Sequence, residues 1–327
     1  MLLLACLFLT GKALALEIAD GWVKIGPAYR QDRLHWNIAG PGGSPNVFSE
    51  LKWSRLQIAQ AALEGYAALP SKVFARGCFS YGYIYDGHVR DSDFAGNNRT
   101  LLFARSHSQA DKGKVWDLTI AGGYPLIHCP NHFSLSPLAG YSYHEQRLRI
   151  MGGQMRENRG VILHYFTDTL NSSTSRSSHS WVHHSLEGID STYVAQWSGP
   201  WVGLDALWHM TPSFDLFVAG EFHWARYRGR GHWNLRSDFA DDFRHRAHGL
   251  GFVTTAAVAW HLSSHWSLTI SALYQHWHAH HGTDRTFIFA NAMYSSAPSG
   301  EVLEGKLPLN GVTWESCNIA ASIAYRF

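Results

Sequence analysis

Apolar and polar residues alternate along much of this chain, and the alternation is cleanest at its end. Within Val312 to Phe327, Ile319, Ala321, Ile323, Tyr325 and Phe327 take every second position, with Asn318, Ala320, Ser322, Ala324 and Arg326 between them. A period of two is the side-chain period of a β-strand, so the segment has one apolar face and one small or polar face. The same reading puts Phe214, Leu216, Val218, Phe222 and Trp224 on one face of a strand and Asp215, Phe217, Ala219, Glu221 and His223 on the other. Further along, Trp266, Leu268, Ile270, Ala272 and Tyr274 alternate with Ser267, Thr269, Ser271 and Gln275. Such strands are long for a soluble sheet, whereas a tilted strand crossing a bilayer of about 30 Å needs roughly 9–11 residues and can run beyond it.

The breaks between these segments are of two kinds. Short ones fall at 68–71, 128–131, 211–213 and 262–264, and long polar ones cover about 39–47, 87–114, 151–197, 229–248 and 279–311. The two kinds alternate strictly, which predicts ten strands at roughly 22–38, 48–67, 72–86, 115–127, 132–150, 198–210, 214–228, 249–261, 265–278 and 312–327. The fold expected is all-β: a transmembrane antiparallel β-barrel of ten strands with short periplasmic turns and long extracellular loops. An even strand count returns the chain to its starting side, so both termini are expected in the periplasm. Function is expected among the long loops. The longest, 151–197, is rich in Ser, Thr and His and is expected to be mobile or ordered by a partner.

Composition narrows the address. Only 16% of residues are charged while 46% are apolar, and no internal apolar run reaches the ~18 residues of a membrane helix, which excludes a helical membrane protein. The 14 Trp and 14 Tyr suit two interfacial aromatic girdles. A formal charge of +2 gives no reason to expect nucleic acid. Leu2 to Leu9 form a short apolar core ahead of Ala13-Leu14-Ala15, so residues 1–15 read as a secretory signal peptide and 16–327 as a single barrel domain. Cys78, Cys129 and Cys317 remain after such processing, an odd number for an oxidising compartment, so at least one thiol is free or pairs with another chain.

Candidate chemistry concentrates in Asp86-Gly87-His88-Val89-Arg90-Asp91-Ser92-Asp93. Asp91 and Asp93, at i and i+2 of an extended segment, share a side and repel, so one should hold its proton unusually well, as a shared-proton or water-activating site requires. His276, His278 and His280 alternate in the same manner, with His281 beside them. Without a carboxylate or Cys at defined spacing they read as an exposed interfacial His/Trp band. No metal site and no cofactor is predicted.

Two resemblances rest on short motifs. Ser49-Glu50-Leu51-Lys52-Trp53, Val89-Arg90-Asp91-Ser92-Asp93-Phe94, Trp201-Val202-Gly203-Leu204 and the ten-strand rhythm resemble the omptins, outer-membrane endopeptidases. That resemblance implies a water activated between a D-x-D pair, matched by Asp91 and Asp93, and a D-x-H pair, whose histidine is matched by His232. Arg230 stands where the second pair has its aspartate, and would oppose imidazolium formation and draw the Asp91/Asp93 charges into an ion pair. Asp238, Asp241 and Asp242 follow as substitute partners at a different spacing. Tyr85 to Asp93, Gly199-Pro200-Trp201-Val202-Gly203 and His232-Trp233-Asn234-Leu235-Arg236 are similar to outer-membrane barrels of amoeba-associated chlamydiae, some regarded as porins. The terminal Phe327 likewise resembles the closing residue of bacterial outer-membrane barrels. The expected protein is an omptin-like barrel of a Gram-negative-type outer membrane with a surface, structural or porin-like envelope role. The alternative is an endopeptidase using Asp91, Asp93 and His232. Expected partners are outer-membrane lipid and lipopolysaccharide, with a host or envelope protein at the outer loops.

Overall fold

Ten antiparallel strands close on themselves in the computed structural model, which describes residues 18–130, 132–158, 184–294 and 296–327. The wall consists of β1 (Asp20–Ile38), β2 (Ser49–Ala68), β3 (Phe74–Gly96), a fourth strand in two pieces, β4 (Thr100–Gln109) and β5 (Lys114–Gly123), then β7 (Phe133–Asn158), β8 (His184–Thr211), β9 (Phe214–His232), β10 (Phe239–His261), β11 (Trp266–Phe289) and β12 (Val302–Arg326). A three-residue piece, β6 (Ile127–Cys129), only folds back on β7. Closure is made by β1 on β12, in register from Trp22 against Arg326 to Asn37 against Gly311. At Gly26 a Cβ would lie 2.1 Å from the Ala321 carbonyl oxygen, so this seam closes only with glycine there.

The alternation read from the sequence is the inside–outside alternation of the wall. Phe214, Val218, Phe222 and Trp224 are exposed on β9, and so are Trp266, Leu268, Ile270 and Tyr274 on β11. Glu221, His223, Thr269 and Gln275, at the intervening positions, are buried. Trp208, Trp260, Trp266 and Tyr325 ring one end of the apolar belt and Tyr83, Tyr85, Trp224 and Tyr274 the other. Ten residues of tilted strand separate Phe214 from Trp224, about 25 Å of height, the thickness of an outer-membrane apolar band.

Side chains from opposite walls meet across the lumen. Arg30 of β1 is 1% exposed; it binds Asp32 and reaches across to Asp117 of β5 at 2.7 Å. Gln146 of β7 and the Trp314 indole N–H donate to the same Asp32 carboxylate. Towards the short-turn end, Arg76 of β3 crosses to Asp205 at 3.2 Å and Glu221 at 2.7 Å. Between and above these clusters lie Trp197, Trp277 and Trp314, all fully buried, with His144 against Trp277. Unpaired charges could not be held in such an interior, which is why each one here has a partner from another strand.

One expectation is corrected. Of the segments read as long loops, 87–96, 100–109, 151–158, 184–197, 229–232, 239–248, 279–289 and 302–311 are strand, and the wall continues about 20 Å beyond Trp224. Above the bilayer the outer face meets water, so it no longer has to be apolar; the hydrophobic period vanishes while the strand goes on. The connection between β3 and β4 shrinks to Asn97–Arg99. The proposed signal peptide and most of the Ser/Thr/His-rich stretch, in 159–183, lie outside the described residues. Cys78, Cys129 and Cys317 are all unpaired, the last two exposed.

Candidate functional site

At the mouth opposite the short turns the residues singled out in the sequence are distributed over both faces of the wall. Their placement is set by a bulge. Between Trp53 and Leu56 β2 carries one residue more than β1, with Arg55 at φ 53°, and on β3 the register slips beside it at Asp86. Below the bulge the inward residues of β3 are Ser80, Gly82 and Ile84; above it they are Gly87 and Val89, and then Asp91 and Asp93. Without the slip the two carboxylates would point outwards.

Asp91 and Asp93 sit half-buried under the rim, facing Ser49 and Leu51 of β2 in register. One buried Asp91 carboxylate oxygen has no hydrogen-bond partner. Burial and the neighbouring Asp93 charge push the Asp91 carboxyl well above its ordinary range. Burial likewise raises Asp93, to about 6, against the opposing pull of the Ser49 hydroxyl and the Arg236 guanidinium. The cation acting on the pair is therefore Arg236, from the 233–238 connection, which is itself clamped on Asp238 at 2.6 and 2.7 Å. A carboxyl raised from 3.8 to about 6 favours the folded state at low pH and withdraws that favour as pH rises through 6. Asp93→Asn should thus stabilise the barrel by about 1–2 kcal/mol near pH 7.5, and the gain should vanish near pH 3.5, read from urea unfolding midpoints at the two pH values.

His232 stands elsewhere. The outward positions of β9 run Phe222, Trp224, Arg226, Arg228, Arg230 and His232, and the His232 side chain is 59% exposed. Its Nδ1 meets Asp242 of β10 at 2.9 Å, and the other oxygen of Asp242 accepts from the Arg230 Nε at 2.6 Å. Arg230 is held there, on the outer face, and not on the Asp91/Asp93 pair. The structure brings Asp91 and Asp93 together, and Arg230, His232 and Asp242 together, on opposite faces of the wall.

The inward positions of β9 at this height are Gly229 and Gly231, and their space is taken. A Cβ on Gly229 would lie 2.2 Å from the Tyr193 hydroxyl, and one on Gly231 2.1 Å from the Phe243 ring. Tyr193 shares hydrogen bonds with the Tyr227 hydroxyl and with His245 Nδ1, the latter at 2.8 Å, and His245 Nε2 lies 3.1 Å from Asp284. Trp36, Trp53 and Phe243 pack around this chain of polar groups. Tyr193, Tyr227, His245 and Asp284 were not singled out in the sequence, since three of the four fall in stretches that read as loop. The inward alternation of Phe243, His245 and Ala247 with Arg244, Arg246 and His248 was the available signal. Glu50, from the Ser49–Trp53 motif, is on the outer face; burial would raise its carboxyl, but hydrogen bonds from His35, Arg99 and Lys52 hold it well below the usual range.

Against known proteins, residues 24–327 match the family described as Protochlamydia outer membrane protein. Among solved structures, the outer membrane protease OmpT of Escherichia coli superposes with a TM-score of 0.72 at 13% identity, over 97% of this chain and 100% of that one. The translocator domain of the autotransporter NalP from Neisseria meningitidis gives 0.35 at 11% identity over 99% and 91%. The outer membrane protein OprG from Pseudomonas aeruginosa gives 0.33 at 7% identity over 95% and 97%. No curated protein matches by sequence. The family match over nearly the whole chain and the ten-stranded wall lead to one conclusion: the chain belongs to the Protochlamydia outer membrane protein family and is an outer-membrane β-barrel of omptin-like architecture.

Proposed function

We propose that this barrel is sealed by its own side chains and serves the envelope through its surface, neither hydrolysing peptides nor passing solutes. The observation that carries the reading is the occupation of the inward face of β9 opposite Asp91 and Asp93, where Tyr193 and Phe243 fill the space above two glycines and His232 is turned outwards. Water held by the two carboxyls would have no imidazole across from it to accept a proton. In this reading the short turns and both chain ends face the periplasm, residues 1–15 are a secretory signal, and an envelope or host protein binds at the outer rim. The support for that orientation is the contrast between the two-residue Pro212–Ser213 turn and the strands that stand far above the belt at the other end.

A second reading keeps Asp91, Asp93 and His232 as catalytic residues. What favours it is the Asp242 contact, which supplies His232 with the carboxylate that Arg230 displaced in sequence. Protein refolded in detergent and offered a diverse peptide library near neutral pH separates the two. The sealed-barrel reading expects no cleavage, in wild type and in Asp91→Ala and His232→Ala alike. Cleavage that falls by several orders of magnitude in both variants would establish the peptidase.

A further inference from the structure

On the outer face of the wall, six imidazoles gather where β10, β11, β12 and β1 run side by side beyond the apolar belt. His276, His278 and His280 are the outward residues of β11 after Tyr274, and His248 of β10 is the cross-strand neighbour of His280. His35 of β1 lies across Thr313 of β12 from His278. The sixth, His281, reaches the same face through a bulge. Between the pairs His248–His280 and Arg246–Thr283, β11 carries one residue more than β10, with His281 at φ 52°. Four residues of tilted strand separate Tyr274 from His278, about 10 Å, so the group stands in water past the lipid edge.

The six are not equivalent. His35 Nε2 meets Glu50 at 3.1 Å and His276 Nδ1 meets Glu315 at 3.5 Å, so these two serve carboxylates. Among the described residues neither His278 nor His280 has a carboxylate partner. Their rings stack on each other instead, centroids 5.5 Å apart and 26° from parallel, and His281 stands edge-on to His280 at 4.9 Å. His278 Nδ1 lies 3.0 Å from the Thr313 hydroxyl; a proton donated there fixes the tautomer and leaves the Nε2 lone pair free. That Nε2 leans towards Gly311, the β12 neighbour of His280. A Cβ on Gly311 would lie 4.0 Å from it, and hydrogen in its place keeps the approach open. Burial and the His280, His276 and His35 imidazoles hold His278 below its ordinary range, which favours the neutral ring.

We propose that His278 and His280 chelate a borderline divalent metal ion of the zinc class, with water completing its coordination. Two imidazoles on one tetrahedral ion, bound at about 2.0 Å, have ring centroids about 5 Å apart, close to the 5.5 Å found here. Imidazole nitrogen suits Zn²⁺ and Cu²⁺, whereas Mg²⁺ and Ca²⁺ take oxygen. Among the described residues no group of three or more His, Cys, Asp or Glu side chains is placed to hold a metal ion. The ion would therefore keep open positions and exchange readily, unlike the closed ligand set of a structural site. The spacing of these histidines in the chain carries no metal signature; the ring packing and the Thr313 contact do. The site lies wholly on the outer face, so it holds whether or not the lumen is sealed or the mouth catalytic.

Refolded barrel in detergent, titrated calorimetrically with Zn²⁺ alone, should take up one ion per barrel at its tightest site. His278→Asn and His280→Asn should each weaken that site at least about tenfold, since loss of even an outer partner of a metal ligand commonly costs that much. His276→Asn, and His265→Asn at the short-turn end, should bind as wild type does. One equivalent of Cu²⁺ should show two coordinated imidazole nitrogens in the electron paramagnetic resonance spectrum of the wild type, and one in either His278→Asn or His280→Asn. Wild-type affinity in His278→Asn or His280→Asn would overturn the site. An equal loss in His265→Asn would show scattered surface binding and overturn it too. All four positions are outward, and slower gel migration of heated than unheated samples reports the folded barrel in each, so a lost ion is distinct from a lost fold.

Discussion

Arg30→Met is expected to lower the unfolding free energy of the barrel by about 3–5 kcal/mol. The guanidinium is buried in the transmembrane part of the wall and donates to Asp32 through two nitrogens and to Asp117 through a third. Methionine keeps much of the volume and removes the charge, so two carboxylates are left facing each other with only the neutral donors of Gln146, Trp314, Ser80 and Gln60 and the His144 imidazole. Partial compensation from these donors keeps the loss within that range. Arg33→Met, three positions on and facing outwards towards Glu315 at 4.0 Å, should change stability by less than about 1 kcal/mol. Urea unfolding in micelles, followed by tryptophan fluorescence and by heat-modifiable migration, measures both.

Trp277→Ala comes next, at about 3–5 kcal/mol. Its ring is fully buried, stacked on Trp314 at 5.6 Å and 17°, and touched by Trp197, His144 and His223. These neighbours come from β7, β8, β9 and β12, so they cannot all collapse into the space without moving the wall. The variant should nevertheless conduct no ions. In the proposed sealed barrel, Arg76 with Asp205 and Glu221 closes the lumen on the short-turn side, and Tyr193, Trp53 and Phe243 close it at the mouth.

Particular residues show how far the sequence carried. The short-turn ends of the strands were legible to within a few residues, because Pro70, Pro130 and Pro212 interrupt the ladder and lie beside the apolar belt. The far ends were not, because alternation of apolar with polar residues marks a strand only where one face meets lipid. Asp91 and Asp93 were legible as a repelling pair. Their inward direction was not, since it depends on the bulge at Arg55 and Asp86, which no hydrophobic period announces. His232 was open to a better reading. Counting by twos from Phe222 and Trp224 through Arg226, Arg228 and Arg230 reaches His232 on the outer face of the wall, where the structure has it. The partner role anticipated for Asp238, Asp241 or Asp242 fell to Asp242, one strand away and one step past the Phe243–Gly231 pair, beside His232.

The proposed closure of the lumen by paired charges and stacked indoles has a direct electrical consequence. Wild-type barrel reconstituted in planar bilayers, with heat-modifiable migration confirming the fold, should give no discrete current steps at either polarity, and Trp277→Ala should be equally silent. Reproducible single-channel steps from the wild type would contradict the sealed lumen.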